Sequence, residues 1–208
     1  MKKYEFTGET KQVELLFRTV TLHRIKAVAE FGIVKVGDLG GWIEKEENLS
    51  HDGKAWVYGN AKVYGDAKVY GNAKVYGNAE VYGDAEVYGD AKVYGDAEVW
   101  GNAKVWGDAE VCGDAEVWGD AKVWGDAEVF SISHVLVIGP IGSRNDFTTF
   151  FRDKDSEITV KCGCFLGKID KFLEKVCETH GDSKYAIVYR SAVEIAKQQI
   201  DLSEKKQL

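Results

Sequence analysis

AKVYGDAKVYGNAKVYGNAEVYGDAEVYGDAKVYGDAEVW, residues 61–100, is one six-residue unit written over and over. The unit reads A-[K/E]-V-[Y/W]-G-[D/N], and its alanine recurs every six residues from Ala55 to Ala127, thirteen times, without a gap. Alternation within Ala-x-Val puts both small apolar residues on one side of an extended segment. The Lys or Glu between them, and the aromatic residue after Val, then face the other side. The opposite assignment would bury a charge in every unit, which no core tolerates without partners. Gly followed by Asp or Asn interrupts each extended run with residues that accept left-handed backbone. Strand and corner in alternation predict a coil of three short walls, one unit to a wall. Coils stack at the ordinary strand spacing, so the array predicts about four coils and a length of roughly 20 Å.

Stacking turns each position of the coil into a column. Tyr64, Tyr82, Trp100 and Trp118 fall in one column, and Tyr70, Tyr88, Trp106 and Trp124 in a second. Tyr58, Tyr76, Tyr94, Cys112 and Phe130 make a third. Inside, Val and Ala fill a narrow core, where each fully buried Val contributes roughly 1.5–3 kcal/mol. Three outward aromatic columns exceed the apolar surface that a monomer ordinarily leaves bare. The rings seal the outer wall by stacking on one another, or join protomers through Trp100, Trp106, Trp118 and Trp124, or stack glycan rings or bases. Corner carboxylates also align, Asp90 with Asp108 and Asp126, and Asp96 with Asp114. Oxygen columns of this kind suit calcium, although Asp is equally a corner residue chosen for its backbone.

A small residue two positions before an aliphatic one, as in Ala61-Lys62-Val63, runs through residues 55–130. This pattern resembles the hexapeptide-repeat, left-handed parallel β-helix family. The resemblance implies the handedness, and an oligomer, since enzymes of the family commonly trimerise. Those enzymes are acyltransferases that use a histidine general base near a subunit boundary, and such a base must reach the acceptor hydroxyl. Here His23, His51, His134 and His180 all lie outside the array, and no excursion loop interrupts the repeats. The expectation is therefore a mainly β protein that binds or scaffolds without catalysis and without a cofactor. Acyl transfer through His134 or His180 is the enzymatic alternative, and purely structural self-assembly is another.

The ends differ from the array. Residues 1–54 read as a capping segment with the first irregular coils. TVTLHRIKAVAEFG, residues 19–32, alternates poorly. Gly40, Gly41 and Trp42 are placed to close the first coil, whose open end needs a cap. After Phe130 the composition changes, and residues 131–208 predict a small α+β domain. Strands are expected at 132–138, 147–151 and 157–162, with a turn at 153–156. Two helices follow. Ile169, Phe172, Leu173, Val176 and Cys177 mark the apolar face of the first, which Gly181 ends. Tyr185, Val188, Tyr189, Ala192, Ile195 and Ala196 mark that of the second. The capping segment and this tail resemble uncharacterised polymer-forming or repeat proteins of bacterial genomes, prophages and phages, which implies no established chemistry.

The tail holds the polar clusters that the repeats lack. Ser143, Arg144, Asn145 and Asp146, with Thr148 after them, offer amides, hydroxyls and a guanidinium to an anion. The alternative is a polar turn whose Arg and Asp pair with each other. Gly139-Pro140-Ile141-Gly142 has the form of a GxxG nucleic-acid clamp, but with proline inside it and an acidic chain around it. Cys162 and Cys164, on one face of a strand, and Cys177 and His180, three apart on a helix, form a candidate zinc set. Cys177 equally completes the apolar stripe of its helix.

Composition narrows the partners. Of 208 residues 23 are Gly and 1 is Pro, beside 10 Tyr and 6 Trp, a bias that belongs to a repeat. The net charge of −7 is concentrated in residues 55–130, which carry 6 Lys against 6 Glu and 8 Asp. That balance argues against a nucleic-acid binder, which neutralises phosphates with clustered cations. No apolar stretch approaches a membrane span, the N-terminus lacks a signal peptide's apolar core, and four scattered cysteines make no secreted framework. A cytoplasmic chain is the expectation. Its expected partners are copies of itself and, at the tail, a nucleotide-like small molecule or a host protein. In concrete form this is a phage-encoded inhibitor that sequesters a host nucleotide signal or a defence protein.

Overall fold

The computed structural model describes residues 2–205. Three strands open the chain: β1 (Tyr4–Glu14), β2 (Thr19–Ala27) and β3 (Leu39–Ile43). Thirteen two-residue strands follow at six-residue intervals, β4 (Trp56–Val57) through β16 (Glu128–Val129). Each repeat contributes one of them. Pairing is parallel and joins every third strand, so that Val63, Val81, Val99 and Val117 lie side by side. The strands sort into three walls, and the molecule is a parallel β-solenoid. Every Ala and Val of the array is buried, while the residue between them stays half-exposed or exposed in every unit but the first, where Trp56 is buried. Gly is required at the corners for two reasons, as Gly95 illustrates. Its φ is +75°, and a Cβ there would sit 2.9 Å from the Gly113 amide of the next coil.

A further turn precedes the repeats. Trp42 and Ile43 pair with Lys62 and Val63 in one wall, and Leu49 bridges Val69 in another. The predicted closure at Gly40-Gly41-Trp42 is thus a rung of the solenoid itself, and the coils number about five. Close packing demands the glycine there, since a Cβ on Gly41 would lie 2.6 Å from the Ala61 carbonyl.

Ahead of that turn the structure differs from the irregular leader expected. β1 and β2 form a long antiparallel hairpin that extends the first wall beyond β3. The poor alternation of residues 19–32 has a physical cause. Val20 and Leu22 are buried, then the β2–β3 register shifts between Arg24 and Lys26, and burial passes to Ile25 and Ala27. A bulge changes the parity of a strand, so no period of two survives through it.

The tail begins with a 3₁₀ turn, Ile132–His134, where a strand was expected. Then come β17 (Val135–Ile141), β18 (Asp146–Arg152), β19 (Ile158–Cys162) and β20 (Phe165–Lys168), an antiparallel sheet in that order. Helices α1 (Ile169–His180) and α2 (Lys184–Gln199) pack on it, and Gly181 caps α1 as predicted. The helix faces need correction. Cys177 is exposed, as are Val188 and Ile195, whereas Ala186 and Val193 are buried. The buried stripe of α2 carries the small residues Ala186, Ala192 and Ala196, which let the helix approach the sheet closely. Among the described residues no helix is long and apolar enough to cross a membrane.

β18 joins the two parts. Phe150 enters the core beneath the helices, and Phe151, on the opposite face of the strand, enters the solenoid core. Arg152, only 5% exposed, donates to Glu128 at 3.0 Å, and Asp153 accepts from Thr159 at 2.6 Å and pairs with Lys168. Thr149 Oγ1 accepts from the Lys122 amide at 2.9 Å, capping the last strand of the third wall. His134 is fully buried at this joint; its Nδ1 accepts from the Phe130 amide at 3.3 Å, and Nε2 faces Glu204 at 3.2 Å.

The joint is predicted to loosen in acid. Burial holds the His134 imidazole below its ordinary value of 6.5, so it is neutral in the fold. The unfolded chain then binds the extra proton, and stability is lost as pH falls below that ordinary value. Burial alone would raise the Asp153 carboxyl, but Lys168, Thr159 and the Glu157 amide hold it below 3.8, giving a second loss at lower pH. Urea midpoints from pH 8 to 4 should fall for the native chain and less steeply for His134→Gln. Parallel slopes for the two proteins would remove His134 from this account.

Candidate functional site

The turn after β17 carries Gly142, Ser143, Arg144 and Asn145, with φ positive at Gly142 (+73°) and Asn145 (+52°). It faces the tight β19–β20 turn and the facing ends of the two helices. Between them lies a cleft of about 270 Å³. Ser143, Arg144, Asp146, Lys175, Thr179 and His180 supply its polar lining, and Phe165, Phe172 and Tyr189 its aromatic lining. Gly142 permits this closure, because a Cβ there would stand 1.9 Å from the Tyr189 hydroxyl.

Arg144, Lys175 and His180 line the cleft opposite one carboxylate, Asp146. Arg144 lies against Gly163 and forms no ion pair among the described residues. The alternative of an Arg144–Asp146 pair is therefore not realised; Asp146 lies 4.0 Å from Lys122 instead. Lys175 pairs with Glu178 along α1 at 3.0 Å, an exposed contact that an incoming anion can compete with. His180 stacks on Tyr189 at 5.8 Å. Burial and the neighbouring Cys162 push the Tyr189 phenol up to about 12, so it is a neutral donor at physiological pH. Lys161 braces the floor, donating to the Gly163 carbonyl at 2.5 Å while lying over the Trp124 ring at 4.8 Å.

The structure places Ser143, Arg144 and Asp146 together on the cleft, with Asn145 exposed beside them. Thr148 is buried behind the site, donating to Cys162 Sγ at 3.2 Å. Lys175, Thr179 and Tyr189 were not singled out as ligand residues, because nothing in a helical pattern tells which turn of a helix will meet a distant loop. The zinc set is not assembled. Cys162 ends β19 and Cys164 sits in the following turn, so they do not share a strand face, and Cys177 points outward from α1. Among the described residues no three His, Cys, Asp or Glu side chains gather as metal ligands. At the corners, Asn72 donates to Asp90 and Asn78 to Asp96, each at 3.0 Å.

The aromatic columns are true stacks. Tyr64, Tyr82, Trp100 and Trp118 follow one another at 5.0, 6.0 and 5.6 Å, within 13° of parallel. Tyr70, Tyr88, Trp106 and Trp124 do so at 4.8, 5.5 and 5.1 Å. Tyr64, Tyr70, Tyr82 and Tyr94 each donate to a glutamate of the next coil at 2.7–3.0 Å. Ring faces are thus spent on one another, and edges point outward. The four tryptophans expected at a protomer interface occupy two different walls, Trp100 and Trp118 on one, Trp106 and Trp124 on the other.

His134 and His180, the residues considered for acyl transfer, are separate, the first sealed in the joint and the second in the cleft. No family model matches the chain. Over 62 residues it is 34% identical to a protein of Escherichia coli (strain K12) named Uncharacterized acetyltransferase YdcK. The stretch covers 28% of this chain and 19% of that relative, so the likeness reaches a protein named as an acetyltransferase through less than a third of either.

Proposed function

We propose that this protein is a non-enzymatic binding protein in which a rigid solenoid carries a C-terminal cleft for a small anionic, ring-bearing ligand of nucleotide type. The observation that supports it is the convergence of Arg144, Lys175 and His180 on a cleft walled by Phe165, Phe172 and Tyr189. A guanidinium without an ion pair is set to hold a phosphate by two parallel hydrogen bonds, and the rings are set to receive a base. In its most specific form the reading is sequestration, in which a phage-encoded chain holds a host nucleotide signal out of circulation. Native mass spectrometry after exposure to a mixture of nucleotide second messengers tests it. A retained nucleotide mass that Arg144→Ala weakens by about tenfold or more, as loss of a charge-assisted bond predicts, is the expected result. A clean protein mass throughout would overturn it.

The second reading is acyl transfer, favoured by the stretch shared with YdcK. The placement of the histidines weighs against it. His134 is fully buried, and the repeats of residues 55–130 hold no imidazole at all. Turnover of acetyl-coenzyme A with a panel of hydroxyl and amine acceptors decides the matter. Activity lost in His180→Ala would replace the binding reading.

A further inference from the structure

The three walls do not end alike at the tail. The third is capped by Thr149, which accepts from the Lys122 amide, and its aromatic column ends under Lys161. The second is capped by Asp153, which bridges Ala127, and its column ends at Phe130, covered by Arg152 at 4.8 Å and His134 at 4.3 Å. The first wall has no such cover. In each earlier coil the two amides flanking the wall valine donate upward, as Glu98 does to the Ala115 carbonyl and Trp100 to that of Val117. At the last rung the corresponding amides of Glu116 and Trp118 find no acceptor among the described residues. Trp118 is 53% exposed, whereas the rings below it are half-buried at Tyr82 and Trp100 and buried at Tyr64. Above this edge lies a groove of about 620 Å³, walled by Ile132, Val135, Val137 and Phe147 and edged by Glu116 and Asp120.

We infer that this groove receives an extended peptide segment of a partner protein, which adds one more rung to the first wall. Its recognition chemistry can be read from the rungs already present. Backbone carbonyls of the segment would accept from the Glu116 and Trp118 amides, as in strand addition to a sheet edge. A Lys or Arg would lie beside Glu116, as Lys92 lies beside Glu110 at 2.7 Å. Two residues on, an aromatic ring would cover the open face of Trp118 at the spacing of the column, while an apolar residue between them faces inward. The acidic edge selects a basic segment and disfavours a phosphorylated one, which separates this groove from the anion cleft. The motif is basic–aliphatic–aromatic, the same alternation as the repeat.

The full chain labelled with ¹⁵N, titrated with the capped peptide Ala-Lys-Val-Trp-Gly, tests this. Expected are shifts confined to the Glu116 and Trp118 amides, the Trp118 indole and the groove walls, with slowed exchange of the two amides at saturation. A control peptide, Ala-Glu-Val-Ser-Gly, should bind about tenfold more weakly or worse, having lost both the charge pair and the stack. Glu116→Lys should reverse the preference between Lys and Glu peptides, and the exposed position allows Ile132→Asp to weaken both without disturbing the fold. No localised shift at millimolar peptide, shifts located elsewhere, or shifts indifferent to peptide charge and ring would each overturn the inference. So would a concentration-dependent doubling of mass with both amides protected, which would make a second copy the occupant.

Discussion

Phe151→Ala is expected to destabilise the protein by about 3–5 kcal/mol, the usual cost of emptying a fully buried phenylalanine site. Phe151 is a residue of the tail, yet its ring lies in the solenoid core. Removing it opens the end of the array to water where the last Val and Ala otherwise meet a solid lid. The tail and the last coils should therefore lose stability together, seen as one coincident shift in tryptophan fluorescence and far-ultraviolet dichroism. Phe150→Ala, one residue earlier, empties the core beneath the helices. It should shift the helical signal first. Identical behaviour of the two variants would refute the division of labour along β18.

Val99→Asp carries the second large effect, more than about 4 kcal/mol, since it sets an unpaired carboxylate in a wholly apolar column. Val81 and Val117 flank the position, both fully buried. A solenoid is held by nearest-neighbour contacts, so the damage should split the array, leaving each flank to melt on its own. Burial raises the pKa of the new carboxyl, so the variant binds its proton more tightly folded than unfolded. Relative to the native chain it should recover stability as pH falls toward 4, the loss at His134 being common to both proteins and cancelling in the difference. A single cooperative melt at native temperature would contradict this one-dimensional picture.

The parts of the fold that were legible are those where one period ran unbroken. Ala-x-Val with a glycine corner reads directly as a stacked coil, although copies this alike leave its register ambiguous by whole coils. The hairpin was hidden by the shift between Arg24 and Lys26, which moves burial from even to odd positions within one strand. β20 was hidden because Gly163 and Cys164 form its turn, and Cys162-x-Cys164 read as one strand. In the cleft, Ser143, Arg144 and Asp146 stood out as a polar loop in an apolar context. Lys175 and Tyr189 did not, since their role depends on Gly142 allowing a helix to touch that loop. Open ends of walls escape a sequence altogether: Trp118 and Trp124 occupy equivalent positions, and the seating of the tail, with Lys161 over Trp124, leaves one covered and the other bare.

The columns described above have a consequence for how such a chain can change over time. Tyr64 meets Tyr82 as Tyr82 meets Trp100, and each corner glycine from Gly65 to Gly107 meets the glycine of the next coil. Loss or duplication of one whole coil would return each column to itself, leaving the hairpin and the tail with the neighbours they already have. Any other change in length would turn the tail about the long axis and break the seating of Phe151. The protein is thus a gauge with fixed graduations. It can lengthen in steps of roughly 4.8 Å, and in no smaller amount.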